Sequence, residues 1–154
     1  MFNTVFSMRV FALFLFAALI APLGAGQAFA AQEFKYAIDD SPLDVTLPDD
    51  QEETEAVKQF HETGKNLYEG DEAAIAEGKE VYNETCQVCH GAEAEGRMCP
   101  SLTDDNYAYP RVAEGDVGMF EVIYGGATGA MRSFKDRVSQ DQILKVIAYV
   151  RTLQ

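Results

Sequence analysis

The stretch Thr85-Cys-Gln-Val-Cys-His-Gly91 constrains this chain more than any other part of it. Cys86 and Cys89 stand in C-x-x-C spacing, and His90 follows directly. The remaining cysteine, Cys99, lies just ahead of Pro100, so any disulfide scheme leaves one thiol over. Thiols three positions apart on a helical turn project to one side. Both can then reach the vinyl groups of one porphyrin and form thioethers. The next residue lies under the iron, where an imidazole becomes the proximal ligand. The pattern predicts one covalently bound haem c, anchored by Cys86 and Cys89, with His90 as axial base. A thioredoxin-like dithiol would need a βαβ surrounding, and none is visible. A structural zinc site would need ligands spread more widely and a second Cys/His pair, and none follows.

The N-terminus agrees with that chemistry, since c-type haem is attached outside the cytoplasm. Arg9 precedes an unbroken apolar run, Val10 to Ala21, and the segment closes on Ala28-Phe29-Ala30, a small-x-small cleavage pattern. This order reads as a secretory signal over residues 1–30. The competing reading is a membrane anchor. The run is short for a bilayer span and is followed by Pro22 and two glycines, so no anchor is expected after cleavage. From Ala31 onward the chain holds 11 basic and 25 acidic residues, a net charge of −14. Residues 31–78 carry −11 of it. Such a surface repels phosphate backbones and excludes nucleic acid as a partner. It suits a basic patch on another protein, or simply keeps an exported protein in solution.

The rest reads as all-α with long loops. Residues 31–53 hold two prolines, many acids and no sustained apolar period, the signature of an extended arm that wraps or hangs free. Residues 52–64 fit a short helix with Val57, Phe60 and His61 on one side and Gly64 as its stop. From Asp71 to His90, Ile75, Gly78, Val81, Tyr82 and Thr85 recur at helical steps behind Asp71 as cap. A loop-rich middle, 90–115, precedes an apolar helical stretch that ends on Gly125-Gly126. Ser139 and Gln142 form a capping box ahead of the clearest helix, in which Ile143, Ile147 and Val150 make one stripe. The resulting division is a signal over 1–30, an acidic extension over 31–70 and a haem-binding domain over 71–154.

The far face of the iron needs a ligand or stays open. Met98, Met119, Met131 and His61 are the candidates. Met98 is only eight residues past His90, a short path around a porphyrin. Met119 sits in an apolar helix, where methionine is more often core filler. His61 reads most simply as a packed or surface histidine. Met131 lies in a glycine-rich loop 41 residues after His90, enough chain to cross to the far side, and is favoured. His90 also needs its second ring nitrogen held, and the carbonyl of Pro100 is the natural acceptor.

At these residues the chain resembles the class I cytochromes c. GKEVYNETCQVCHG is similar to their first core helix and haem motif, CPSL stands where they usually show Gly-Pro-x-Leu, and DQILKVIAYVRTL is similar to their closing helix. Within that class it resembles the cytochrome cL branch across nearly all of residues 31–154. The acidic N-terminal segment and YPRVAEGDVGMFEVIYGGATGAM carry this likeness, the latter placing the branch's distal methionine on Met131. The resemblance implies a periplasmic one-electron carrier and not an enzyme. It would accept electrons from a PQQ-dependent methanol dehydrogenase and pass them to a downstream cytochrome c or oxidase. The loop GATGAMRSF leans towards the form that serves lanthanide-dependent dehydrogenases. Some members place a histidine a few residues after the distal methionine, where Phe134 stands here. Members can also bind calcium, for which this sequence offers no assignable ligands. Cys99 replaces the glycine usual before the proline, and would be strained if that position needs a positive φ. Rival readings are a generic class I cytochrome c serving another dehydrogenase or reductase, a haem enzyme or sensor with an open iron site, and a permanent subunit of a dehydrogenase.

Overall fold

The computed structural model describes residues 31–154, so the expected export signal over 1–30 lies outside the described residues. Six helices follow in order: α1 Glu55–Thr63, α2 Glu72–Thr85, α3 Gln87–His90, α4 Pro110–Glu114, α5 Asp116–Gly125 and α6 Gln140–Arg151. Among the described residues there is no named strand, only an isolated bridge between Lys35 and Pro42. No helix among them is long and apolar enough to cross a membrane.

The frame is the crossing of α2 and α6. Asp71 caps α2 by accepting from the Ala73 and Ala74 N–H groups, and Ser139 with Gln142 closes the expected capping box on α6. Gly78 makes the close approach possible, because a Cβ there would lie 2.1 Å from the Lys145 carbonyl oxygen. Tyr82 and Tyr149 meet edge to face across the contact, ring centroids 5.4 Å apart. Ile143, Leu144 and Ile147 of α6 are fully buried.

The arm wraps. Leu43 N–H donates to the Phe34 carbonyl and Tyr36 N–H to the Ser41 carbonyl, turning the chain back on itself and sinking Phe34 and Leu43 into the core. Phe34 packs with Phe60 of α1 and Phe120 of α5, at 5.7 and 5.6 Å between centroids. Thr54 caps α1 and Gly64 ends it in the left-handed region at φ 72°, as the sequence predicts for Gly64. His61 is absorbed here. Its Nε2 pairs at 2.7 Å with Oε1 of the fully buried Gln140, whose Nε2 donates to the Val45 carbonyl.

Two elements differ from the sequence reading. The helix expected over residues 71–90 is two, because the chain breaks at Cys86 (φ −112°, ψ −38°) before α3. The expected loop between His90 and Gly115 contains α4, started by Pro110 at its first position. α4 lies tightly on α5, since a Cβ on Gly118 would stand 1.9 Å from the Arg111 carbonyl oxygen.

Candidate functional site

Helices α2, α4, α5 and α6 enclose one cleft with the loops after α3 and α5, about 1140 Å³ of empty space including its open mouth. Tyr82, Val146 and Val150 face it from the helix crossing, and Val112, Met119 and Ile123 from α4 and α5. His90 and Pro100 line one wall, and Met131 stands in the loop of another. The lining is largely apolar, which suits a flat hydrophobic cofactor.

The His90 wall is built from backbone. His90 N–H donates to the Cys86 carbonyl at 3.0 Å, and Gly91 N–H to the Gln87 carbonyl at 2.9 Å, closing the short helix α3. Gly91 then turns at φ 91°. Residues 91–102 fold back over the helix: Gly96 N–H reaches the His90 carbonyl, Cys99 N–H the Cys89 carbonyl, and Leu102 N–H the Ala94 carbonyl. The fully buried Tyr82 donates its hydroxyl to the Gly91 carbonyl at 2.8 Å. Burial pushes that hydroxyl far up, so it stays a neutral donor.

This fold-back places the Pro100 carbonyl 2.9 Å from His90 Nδ1, the partner the sequence suggests. A carbonyl only accepts, so Nδ1 carries the proton and Nε2 keeps its lone pair. His90 itself is buried. Cys86 and Cys89 lie half-buried on the helical turn that ends at His90, with Cys86 packed against the core. Burial pushes the Cys86 thiol up, against a hydrogen bond with Thr85. The donor set fits haem c: two thiols and an imidazole with a free Nε2, on one turn beside an apolar cleft. Among the described residues no group of three or more His, Cys, Asp or Glu side chains is placed to hold a metal ion.

Of the four distal candidates, three methionines line the cleft and the histidine does not. His61 is not brought to the cleft. Met98 lines it but is 77% exposed, on the same fold-back loop as Pro100. Met119 also lines it and is buried in the core cluster. Met131 is half-buried in the loop that follows α5. The position of Cys99 does not need a positive φ: its φ is not in the left-handed region, so the backbone accepts a cysteine there without strain. Its half-buried thiol lies within reach of the Cys89 thiol, and burial and that contact push it up.

The sequence reading missed Tyr109, Thr128 and the buried pair Arg111–Glu121. Tyr109 lines the cleft and its hydroxyl meets Thr128. Glu121 is fully buried, its carboxylate taking two bonds from the Arg111 guanidinium, each 2.6 Å, and one from the Lys35 N–H at 2.8 Å. A single acid inside the apolar run of α5 was the signal for that pair. Nothing local marks the Tyr109–Thr128 contact.

A helical shell around an apolar cleft, with a backbone-held histidine directly after C-x-x-C, defines the fold and haem-attachment motif of a class I cytochrome c. The family model for cytochrome c oxidase, cbb3-type, subunit III, matches residues 73–150. The cbb3-type oxidase subunit CcoP of Rhodobacter capsulatus is 34% identical over 94 residues, 54% of this chain and 30% of that one. Cytochrome c-L of Methylorubrum extorquens is 41% identical over 101 residues, 66% of this chain and 51% of its own length. The chain thus spans about half of that curated relative. The crystal structure of cytochrome cL from the marine methylotroph Methylophaga aminisulfidivorans superposes with a TM-score of 0.76 at 40% identity, covering 79% of this chain and 80% of that one. Cytochrome cL from Hyphomicrobium denitrificans gives 0.74 at 37%, covering 79% and 73%. The chain belongs to the cytochrome cL family, whose members hold haem c covalently.

Proposed function

We propose that this chain is a periplasmic one-electron carrier in which Cys86 and Cys89 anchor the haem and His90 and Met131 are its axial ligands. It would take electrons from a PQQ-dependent methanol dehydrogenase and pass them to a downstream cytochrome c or oxidase. In this reading residues 1–30 direct export, 31–70 form an acidic extension and 71–154 the haem domain. The observation that carries it is the sharing of one apolar cleft by His90, its Nε2 freed by Pro100, and by Met131. The relatives named cytochrome cL, one from a methylotroph, support the choice of donor.

When bound, haem c supplies a reversible one-electron couple. The chain's own residues hold and shield that couple. The Pro100 carbonyl fixes the ring and tautomer of His90 and makes it a better donor. A thioether from Met131 favours the reduced state over the oxidised one. Val112, Met119, Val146 and Val150 keep water from most of the cleft. Tyr82 is locked as a donor to Gly91 and has no proton to exchange near neutral pH.

The test is to mix the ferric protein, without oxygen, with calcium- and lanthanide-type PQQ methanol dehydrogenases and methanol, and to follow haem reduction. Rapid reduction that slows as salt rises is expected, because acidic carriers meet their partners through charge. No reduction by either type sinks the proposed donor. In the same preparation a Met131→Ala spectrum identical to wild type would remove the His/Met assignment.

A further inference from the structure

We propose that Tyr109 is the positioning residue for Met131: it latches the loop that carries the thioether, and so sets how firmly the thioether is kept on the iron. The inference rests on the reading of Met131 as distal ligand.

Residues 127–131 form a loop with little to fix it. Gly126 and Gly129 stand in the left-handed region, at φ 83° and 80°, and Thr128, Gly129 and Ala130 are exposed. One bond closes the loop on itself, Ala127 N–H to the Met131 carbonyl at 2.8 Å. Its flanks are tied down, Gly126 N–H to the Val122 carbonyl and Ser133 Oγ to the Tyr124 carbonyl. Between those flanks, the only hydrogen bonds joining the loop to the rest of the described chain are two, and both go to the Tyr109 hydroxyl. Thr128 N–H donates to it at 2.9 Å, and Thr128 Oγ1 lies 2.8 Å away. One hydroxyl serves both, since it offers two lone pairs and a proton.

The other end of the latch is rigid. Tyr109 is the cap residue of α4, its ring half-buried in the cleft wall. Arg111, two residues on, grips the buried Glu121 of α5 through both carboxylate oxygens. A fixed phenol thus holds a loop whose glycines would otherwise sample many conformations. A thioether is a neutral ligand and leaves ferric iron easily, so the cost of ordering its loop counts directly against ligation. Pre-organisation removes that cost.

Tyr109→Phe keeps the ring in the cleft and deletes the hydroxyl. The probe is imidazole, added at fixed pH to the ferric holoprotein, with loss of the red charge-transfer band of thioether-ligated ferric haem as readout. Losing two hydrogen bonds should lower the half-displacing imidazole concentration about tenfold. Thr128→Val, which keeps the N–H bond, should move it the same way by less, and Thr128→Ser should restore the wild-type value. Melting of the variants should stay near wild type. If Tyr109→Phe fails to fold, Thr128→Val against Thr128→Ser decides. A wild-type band with all variants displaced at the wild-type concentration overturns this inference alone. A wild-type protein with no such band, matching Met131→Ala, overturns the Met131 reading and the latch with it.

Discussion

His90 enters the cleft on a helical turn whose neighbours are fastened backbone to backbone, through Cys86, Gln87, Cys89 and Ala94 carbonyls. Met131 enters it from a loop held through the Tyr109 hydroxyl, which meets the N–H and the Oγ1 of Thr128. The first wall is made by residues close in sequence: His90 finds its acceptor ten positions on, at Pro100. The second depends on a contact across 19 positions. One wall therefore forms whenever α2 is seated on α6. The other can loosen while the helices stay packed, because residues 128–130 are exposed and the loop's hydrogen bonds to the rest of the described chain all end on one hydroxyl. In the proposed carrier that division would let the covalent anchor and the proximal base stay put while the distal ligand is tuned separately.

The comparison breaks if the α2–α6 seat can be disturbed without losing the His90 wall. Gly78→Ala tests this with the largest expected effect. Its Cβ would meet the Lys145 carbonyl at 2.1 Å, a clash with backbone that no rotamer relieves. Parting the two helices should cost on the order of 4 kcal/mol. For a domain of this size that is about 15 °C in Tm. Both haem insertion and thermal stability, followed by far-UV dichroism, should fall. A Gly78→Ala protein that melts with wild type would show that the crossing does not carry the proximal wall.

Arg111→Ala comes next, at about 3 kcal/mol, because it leaves the fully buried Glu121 carboxylate with only the Lys35 N–H. Adding Glu121→Gln should recover part of the loss, since a neutral amide costs less to bury than an orphaned charge. Because α4 also bears Tyr109, Arg111→Ala should loosen Met131 as well, lowering the imidazole concentration that displaces it. A double variant less stable than Arg111→Ala would show that the charge of Glu121 is not the burden.

The two walls were also unequally legible in the sequence. C-x-x-C-H and the Pro100 acceptor lie within one 18-residue stretch, and spacing alone relates them. The capping box at Ser139, the Asp71 cap and the Gly64 stop are likewise local chemistry, and each stands where the pattern puts it. The break at Cys86 was hidden because no glycine or proline marks it and helical spacing continues past it. The helix α4 was hidden because five residues hold too short a period to read, with Pro110 its one signal. Whether Cys99 strains its backbone turns on a φ that the sequence does not reveal; the fold-back loop asks for a positive φ at Ala94 and Gly96 and not at Cys99. The Tyr109–Thr128 contact could not be read at all, since neither residue has a local reason to meet the other.

Gly129→Ala should have the smallest effect and separate the walls most cleanly. A Cβ on Gly129 meets nothing within 4 Å, so no packing is lost. The cost is the backbone alone, about 1 kcal/mol for an alanine held at φ 80°. Gly126 is a different case, because there a Cβ would also stand 2.6 Å from the Ser133 nitrogen. If the loop opens independently of the helices, Gly129→Ala spends its strain locally. The Tm should move by a few degrees at most. Imidazole should displace Met131 at about fivefold lower concentration, the equivalent of that strain. A Tm loss approaching that of Gly78→Ala, with imidazole displacement unchanged, would mean that the Met131 loop melts with the core and that both walls are held as one.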